Sequence, residues 1–150
     1  MAMHTWFECK IRYEKVMENG MQKKVTEPYL VDALSFTEAE ARIIEEMTPF
    51  ISGEFTVSDI KRANYSELFP SDEESADRWF KCKLIFITLD EKSGAEKKTS
   101  TQVLVQAADL RDAVKKLDEG MKGTMADYQI GMVSETPLMD VYPYLSLIHI

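Results

Sequence analysis

The hexapeptide Trp6-Phe7-Glu8-Cys9-Lys10-Ile11 returns 73 residues later as Trp79-Phe80-Lys81-Cys82-Lys83-Leu84. The match continues in order along the chain. Gly20 aligns with Gly94, Lys23-Lys24 with Lys97-Lys98, Leu30-Val31 with Leu104-Val105, and Ala33 with Ala107. Phe36, Ala39, Ile43 and Met47 then align with Leu110, Ala113, Leu117 and Met121, and Glu67-Leu68-Phe69-Pro70 with Asp140-Val141-Tyr142-Pro143. Collinear matches that keep apolar spacing identify a duplication. Two copies do not make a solenoid, so the halves are expected to form one pseudo-symmetric whole. The boundaries read as 3–70 for the first repeat, 71–77 for an acidic linker, 78–144 for the second repeat, and 145–150 for a tail outside the repeat.

Each copy has a readable element order. Phe7, Cys9, Ile11 and Tyr13 alternate with Trp6, Glu8, Lys10 and Arg12, the period of a strand. Glu18-Asn19-Gly20 and Glu91-Lys92-Ser93-Gly94 read as hairpin turns. A second strand runs through Val25, Tyr29 and Val31, with Val103 and Val105 as counterparts. Pro28 has no N–H to donate and places that strand at an edge or a bulge. Ser35 with Glu38, and Asp109 with Asp112, are capping pairs that start a helix. Phe36, Ala39, Ile43 and Met47 then recur at three and four residues, giving one apolar face. Pro49 and Gly53 end the first helix, Gly120 and Gly123 the second. A third strand passes through Phe55 and Val57, or Tyr128 and Ile130. The fold class expected is α+β: two tandem β-β-α-β units in one mostly antiparallel sheet assembly with two helices. A three-stranded sheet with one helix is marginal alone, which favours a shared core.

A net charge of −8 argues against nucleic acid and anionic membrane as partners of the whole body. Two cysteines make no disulfide framework, no stretch approaches a membrane span, and the N-terminus lacks the pattern of a signal peptide. A reduced, cytoplasmic protein is the expectation. Cys9 and Cys82 alternate with the apolar strand face and should be buried thiols.

Catalytic chemistry finds little support. The histidines are His4 and His149, and strand alternation turns Cys9 away from His4. Motifs for a metal or for phosphate are absent, so no metal or cofactor is expected. The run Asp72-Glu73-Glu74 with Asp77 reads as a solvated linker. Glu67 and Asp140 suit capping of a nearby N–H. Met47 and Met121 fill core gaps. The tail, Leu145 to Ile150, has no counterpart in the first copy.

One constellation stands out. Opposite the core face, the first strands carry Trp6, Lys10 and Arg12, and Trp79, Lys81 and Lys83. An indole among cations can stack a base and pair its phosphate. The same residues can instead pack in an interface, with lysine stems covering the rims. Ile85, Ile87 and Leu89 extend the second face with apolar residues and favour packing.

The Trp-Phe-x-Cys-Lys opening, with the segment from Leu30 to Arg42, resembles a family of small bacterial and phage proteins known as a domain of unknown function, over residues 3–144. The resemblance implies no activity and no site residues. The expected function is a non-enzymatic, homo-oligomeric binding or scaffolding protein. The alternative is a phage protein that sequesters a small anionic nucleotide on the Trp/Lys face.

Overall fold

The computed structural model describes residues 4–144, so the tail falls outside the described residues. The first copy contains β1 (Trp6–Val16), β2 (Gln22–Asp32), α1 (Phe36–Met47), β3 (Phe55–Ala63) and β4 (Glu67–Phe69). The second contains β5 (Arg78–Leu89), β6 (Glu96–Ala107), α2 (Leu110–Gly120), β7 (Tyr128–Glu135) and β8 (Asp140–Tyr142). The class is α+β, as expected, with two helices and two four-stranded sheets among the described residues. The element order differs by one short strand: each copy reads β-β-α-β-β. At three residues, β4 and β8 are too short for a period of two to show.

These short strands cross between the copies. One sheet has the order β3-β1-β2-β8 and the other β4-β6-β5-β7. Each copy therefore gives its last strand to the other copy's sheet, where it lies parallel to β2 or β6. The remaining pairings are antiparallel. Accordingly the chain divides into a unit 1, made of residues up to Asn64 with those from Pro137 onward, and a unit 2, Tyr65–Thr136. The compact units do not follow the repeat boundaries.

In both copies the helix starts where the capping pair places it. Ser35 accepts from the Glu38 N–H and Asp109 from the Asp112 N–H, while Glu38 and Asp112 reach back to the N–H groups of Leu34 and Ala108. Ala39, Ile43 and Met47 are buried against Phe7, Cys9, Ile11 and Val31. In unit 2, Ala113, Leu117 and Met121 are buried against Phe80, Cys82, Leu84 and Val105. Each unit thus has its own helix-facing cluster. Phe36 and Leu110, placed on the apolar faces by spacing, are half exposed. As first helical residues they lie beyond the covered stripe; the Phe36 ring meets Phe7 edge-on at 4.9 Å.

The registers repeat as well. Between Lys10 and Ile11, and between Lys83 and Leu84, one extra residue of the neighbouring edge strand forms a bulge, Ser58 in β3 and Gly131 in β7. At Gly131 a Cβ would come within 2.9 Å of the Ile85 Cδ1, so a larger residue there would have to displace the tip of that side chain. Pro28 lies in the part of β2 just before its pairing with β8 begins at Tyr29, so its missing N–H leaves no gap in a ladder.

Candidate functional site

Trp6 and Trp79 are buried, 3% and 5% exposed, and belong to neither helix-facing cluster. Neither indole offers an open face on which a base could stack. Lys10, Lys81 and Lys83 are half-buried and Arg12 is exposed. Lys10 lies beside Asp59 in the β1–β3 register, Lys81 beside Ser134 and Lys83 beside Met132. The structure therefore separates the candidate residues: the tryptophans are packed, the lysines edge the same strands, and Arg12 stands apart in solvent.

Arg12 belongs to a different feature. At the hairpin end of unit 1, β1, β2 and the start of β3 form a half-open groove of about 920 Å³, bordered by Arg12, Lys24, Thr26, Thr56, Glu14 and Glu54 among others. Arg12 pairs across the sheet with Thr26 on one side and Thr56 on the other, which puts a guanidinium between two hydroxyls on one face. Ile85 occupies the place of Arg12 in the second copy, so this chemistry is not duplicated.

A second polar cluster escaped the sequence reading. Asp32, at the end of β2, is 2% exposed and is the buried charged residue among those described. His4 Nδ1 hydrogen-bonds its carboxylate, and the His4 ring stacks on Trp6 at 5.1 Å. Arg42 of α1 donates to the Asp32 carbonyl and to the carbonyls of Tyr142 (3.5 Å) and Pro143 (3.3 Å), and lies over the Tyr144 ring at 4.6 Å. In the second copy Lys116 stands for Arg42. Its ammonium reaches Ser71 Oγ at 3.0 Å and Glu73 at 3.2 Å, with Asp112 at 3.1 Å. Its pKa rises despite the burial that would lower it, because hydrogen bonds to Asp112 and Glu73 favour the charged form. The acidic segment 71–77 is thereby tied to unit 2: the Ser71 N–H also donates to Gln106, and Ala76 is buried. No single residue signals these pairs in the sequence; His4–Asp32 joins positions 28 residues apart, Lys116 reaches Ser71 and Glu73 over 45 and 43, and Arg42 reaches Tyr142 and Pro143 over 100 and 101.

The remaining candidates have inert settings. Cys9 and Cys82 are buried free thiols. Burial, with Glu8 and Asp59 nearby, pushes the Cys9 thiol up to about 12, and burial pushes Cys82 up to about 11. Both stay protonated at neutral pH and are poor nucleophiles. Asp140 accepts from the Val141 N–H at 2.8 Å, the capping role its position suits. Among the described residues no group of three or more His, Cys, Asp or Glu side chains could hold a metal ion. No helix among them is long and apolar enough to cross a membrane.

A family model described as a domain of unknown function (DUF4494) matches residues 5–144. No curated protein and no solved structure matches the chain.

Proposed function

The chain belongs to the DUF4494 family, and we propose that it is a non-enzymatic binding or scaffolding protein, of a bacterium or phage, that works as a homo-oligomer. One observation carries this reading. The edge strands β3 and β7, one in each sheet, occupy equivalent places but differ in surface. β3 presents Asp59, Lys61 and Arg62 along nine residues, whereas β7 carries one charge, Glu135, along eight and exposes Ile130 and Met132. Charges are the usual device that keeps an edge strand from pairing. One edge has three of them and its duplicate one, at its end, which fits an edge kept open for association. Light scattering of the purified chain over a concentration series tests the reading. A mass above the 17.2 kDa of one chain is expected; a single-chain mass at every concentration overturns it.

A second reading keeps the anionic nucleotide as ligand and moves it from the buried tryptophans to the groove of unit 1. Arg12 and Lys24 supply the charge for a phosphate, and Thr26 and Thr56 the hydroxyl donors. A thermal-shift screen of nucleotides on the wild-type chain and on Arg12→Glu tests it. Stabilisation that depends on Arg12 supports the ligand; no stabilisation of the wild type removes it.

A further inference from the structure

Resting on the oligomeric reading above, we propose where and how the chain self-associates: β7 pairs antiparallel with β7 of a second copy, about a two-fold axis between Gly131 and Met132, joining two unit 2 sheets into one continuous sheet.

The hydrogen-bond pattern makes β7 self-complementary. The Thr136 N–H bonds to the Trp79 carbonyl and the Ile87 N–H to the Asp127 carbonyl, so both ends of the β5–β7 ladder are fixed. Backbone groups alternate in direction along a strand. Counting from Asp127, residues 127 and 129 turn toward β5, and Tyr128 and Ile130 turn outward. Counting back from Thr136, residues 136 and 134 turn toward β5, and Glu135 and Val133 turn outward. The extra residue at Gly131 reconciles the two counts, because Gly131 and Met132 together oppose Lys83.

The outward set is therefore Tyr128, Ile130, Val133 and Glu135, which is symmetric about the point between Gly131 and Met132. Rotated about that point, Tyr128 meets the second copy's Glu135, and Ile130 meets its Val133. Each of these pairs turns its N–H and C=O toward the other, as a hydrogen-bonded antiparallel pair requires.

Side chains agree with the backbone. Tyr128, Ile130, Val133 and Glu135 share the face that carries Phe80, Cys82, Leu84 and Phe86 in the β5–β7 register. Two Ile130–Val133 contacts then cover the exposed Ile130 side chains. Charge is also compatible. Glu135 faces Tyr128 rather than its own copy, and is held by Arg78 at 3.6 Å; Asp127 faces Thr136. No like charges are opposed, a condition that otherwise destabilises a pair. On β3 the same operation would set Ser58 against Asp59 twice and crowd two Asp59 carboxylates at the axis. The duplicate edge is thus closed by charge where β7 is open.

Light scattering and crosslinking test the proposal on the full chain. The wild type is expected to show twice the 17.2 kDa chain mass. Ile130→Lys, and separately Met132→Lys, should return it to the single-chain mass with unchanged near-ultraviolet circular dichroism. Thr56→Lys on β3 should leave the double mass. An oxidised mixture of Ile130→Cys chains with Val133→Cys chains should form disulfide-linked pairs, because directly opposite Cα atoms lie about 5.5 Å apart. Either variant alone should form far fewer. A wild type of single-chain mass overturns both this inference and the oligomeric reading. An oligomer that survives both lysine variants and gives no crosslink in the mixture overturns the inference alone.

Discussion

Arg42 and Lys116 are the same position in the two copies, and each holds the segment that follows the strand received from the other copy. Arg42 donates to the carbonyls of Tyr142, the last residue of β8, and of Pro143 just after it, and Lys116 binds Ser71 and Glu73 beyond β4. The helix cation is thus a clamp on an exchanged strand, repeated with different chemistry. Arginine reaches carbonyls in a fork, and lysine meets a hydroxyl and carboxylates as a point charge.

The two clamps should differ in strength. Arg42→Ala leaves the Asp32, Tyr142 and Pro143 carbonyls without that donor and should cost about 1–3 kcal/mol, the range for hydrogen bonds involving a charged group. Lys116→Ala removes an ion pair to the exposed Glu73 and should cost less, about 1 kcal/mol or below. Urea unfolding of both variants beside the wild type measures the order, and hydrogen exchange at Val141 should quicken only in the Arg42 variant.

Trp6→Ala and Trp79→Ala should each destabilise by about 3–5 kcal/mol, since both rings are buried. Charge reversal at Arg12, exposed in the groove, should change stability by less than about 0.5 kcal/mol. Denaturant midpoints of the three variants check this, and a mild effect at either tryptophan would show its ring to be accessible.

Alkylation of Cys9 and Cys82 at neutral pH should be slow and should follow unfolding. Raised to about 12 and about 11, their thiols lack thiolate and are shielded by burial. Mass spectrometry after timed exposure to iodoacetamide, with and without denaturant, reads the difference. Rapid labelling in the native state would contradict the buried placement.

Unit 1 should lose stability in alkali. Burial and the Glu27 carboxylate push the Tyr13 phenol up to about 12, and burial with Asp140 and Glu46 nearby pushes Tyr142 up to about 12; Tyr29 is raised as well. An unfolded phenol titrates near 10. The folded state therefore holds these protons more tightly. The stability they contribute is present below pH 10 and is lost as pH rises toward 12. Tyr13→Phe removes the 2.7 Å bond to Glu27 and should flatten that part of the profile. Thermal melts from pH 8 to pH 12 measure it.

Local signals were legible in the sequence because their causes are local. Ser35 with Glu38 and Asp109 with Asp112 set the helix starts, and alternation set Cys9 and Cys82 inward. Alternation also placed Trp6 and Trp79 opposite the helix-facing core, but it gives a side chain's face and not what covers that face. Partner choice was hidden for the same reason. Glu67-Leu68-Phe69-Pro70 and Asp140-Val141-Tyr142-Pro143 are visible as a repeat, yet nothing in three apolar residues says which sheet receives them. The bulge at Gly131 and the pair His4–Asp32 depend on register across strands, which one sequence does not display.

The strand exchange also sets an order on folding during synthesis. Unit 2 is a continuous stretch, Tyr65–Thr136, complete as soon as that stretch has emerged. Unit 1 begins first and finishes last, because the strand that covers the outer edge of β2 is translated only after all of unit 2. Until then Tyr29, Leu30 and Val31 present an apolar edge with no neighbour on that side. At roughly 5–20 residues per second, the interval between β2 and β8 lasts several seconds to about 20 s. The nascent chain thus carries an open strand edge throughout the making of its second copy, and the ribosome-bound intermediate is the stage at which this fold is most exposed to mispairing.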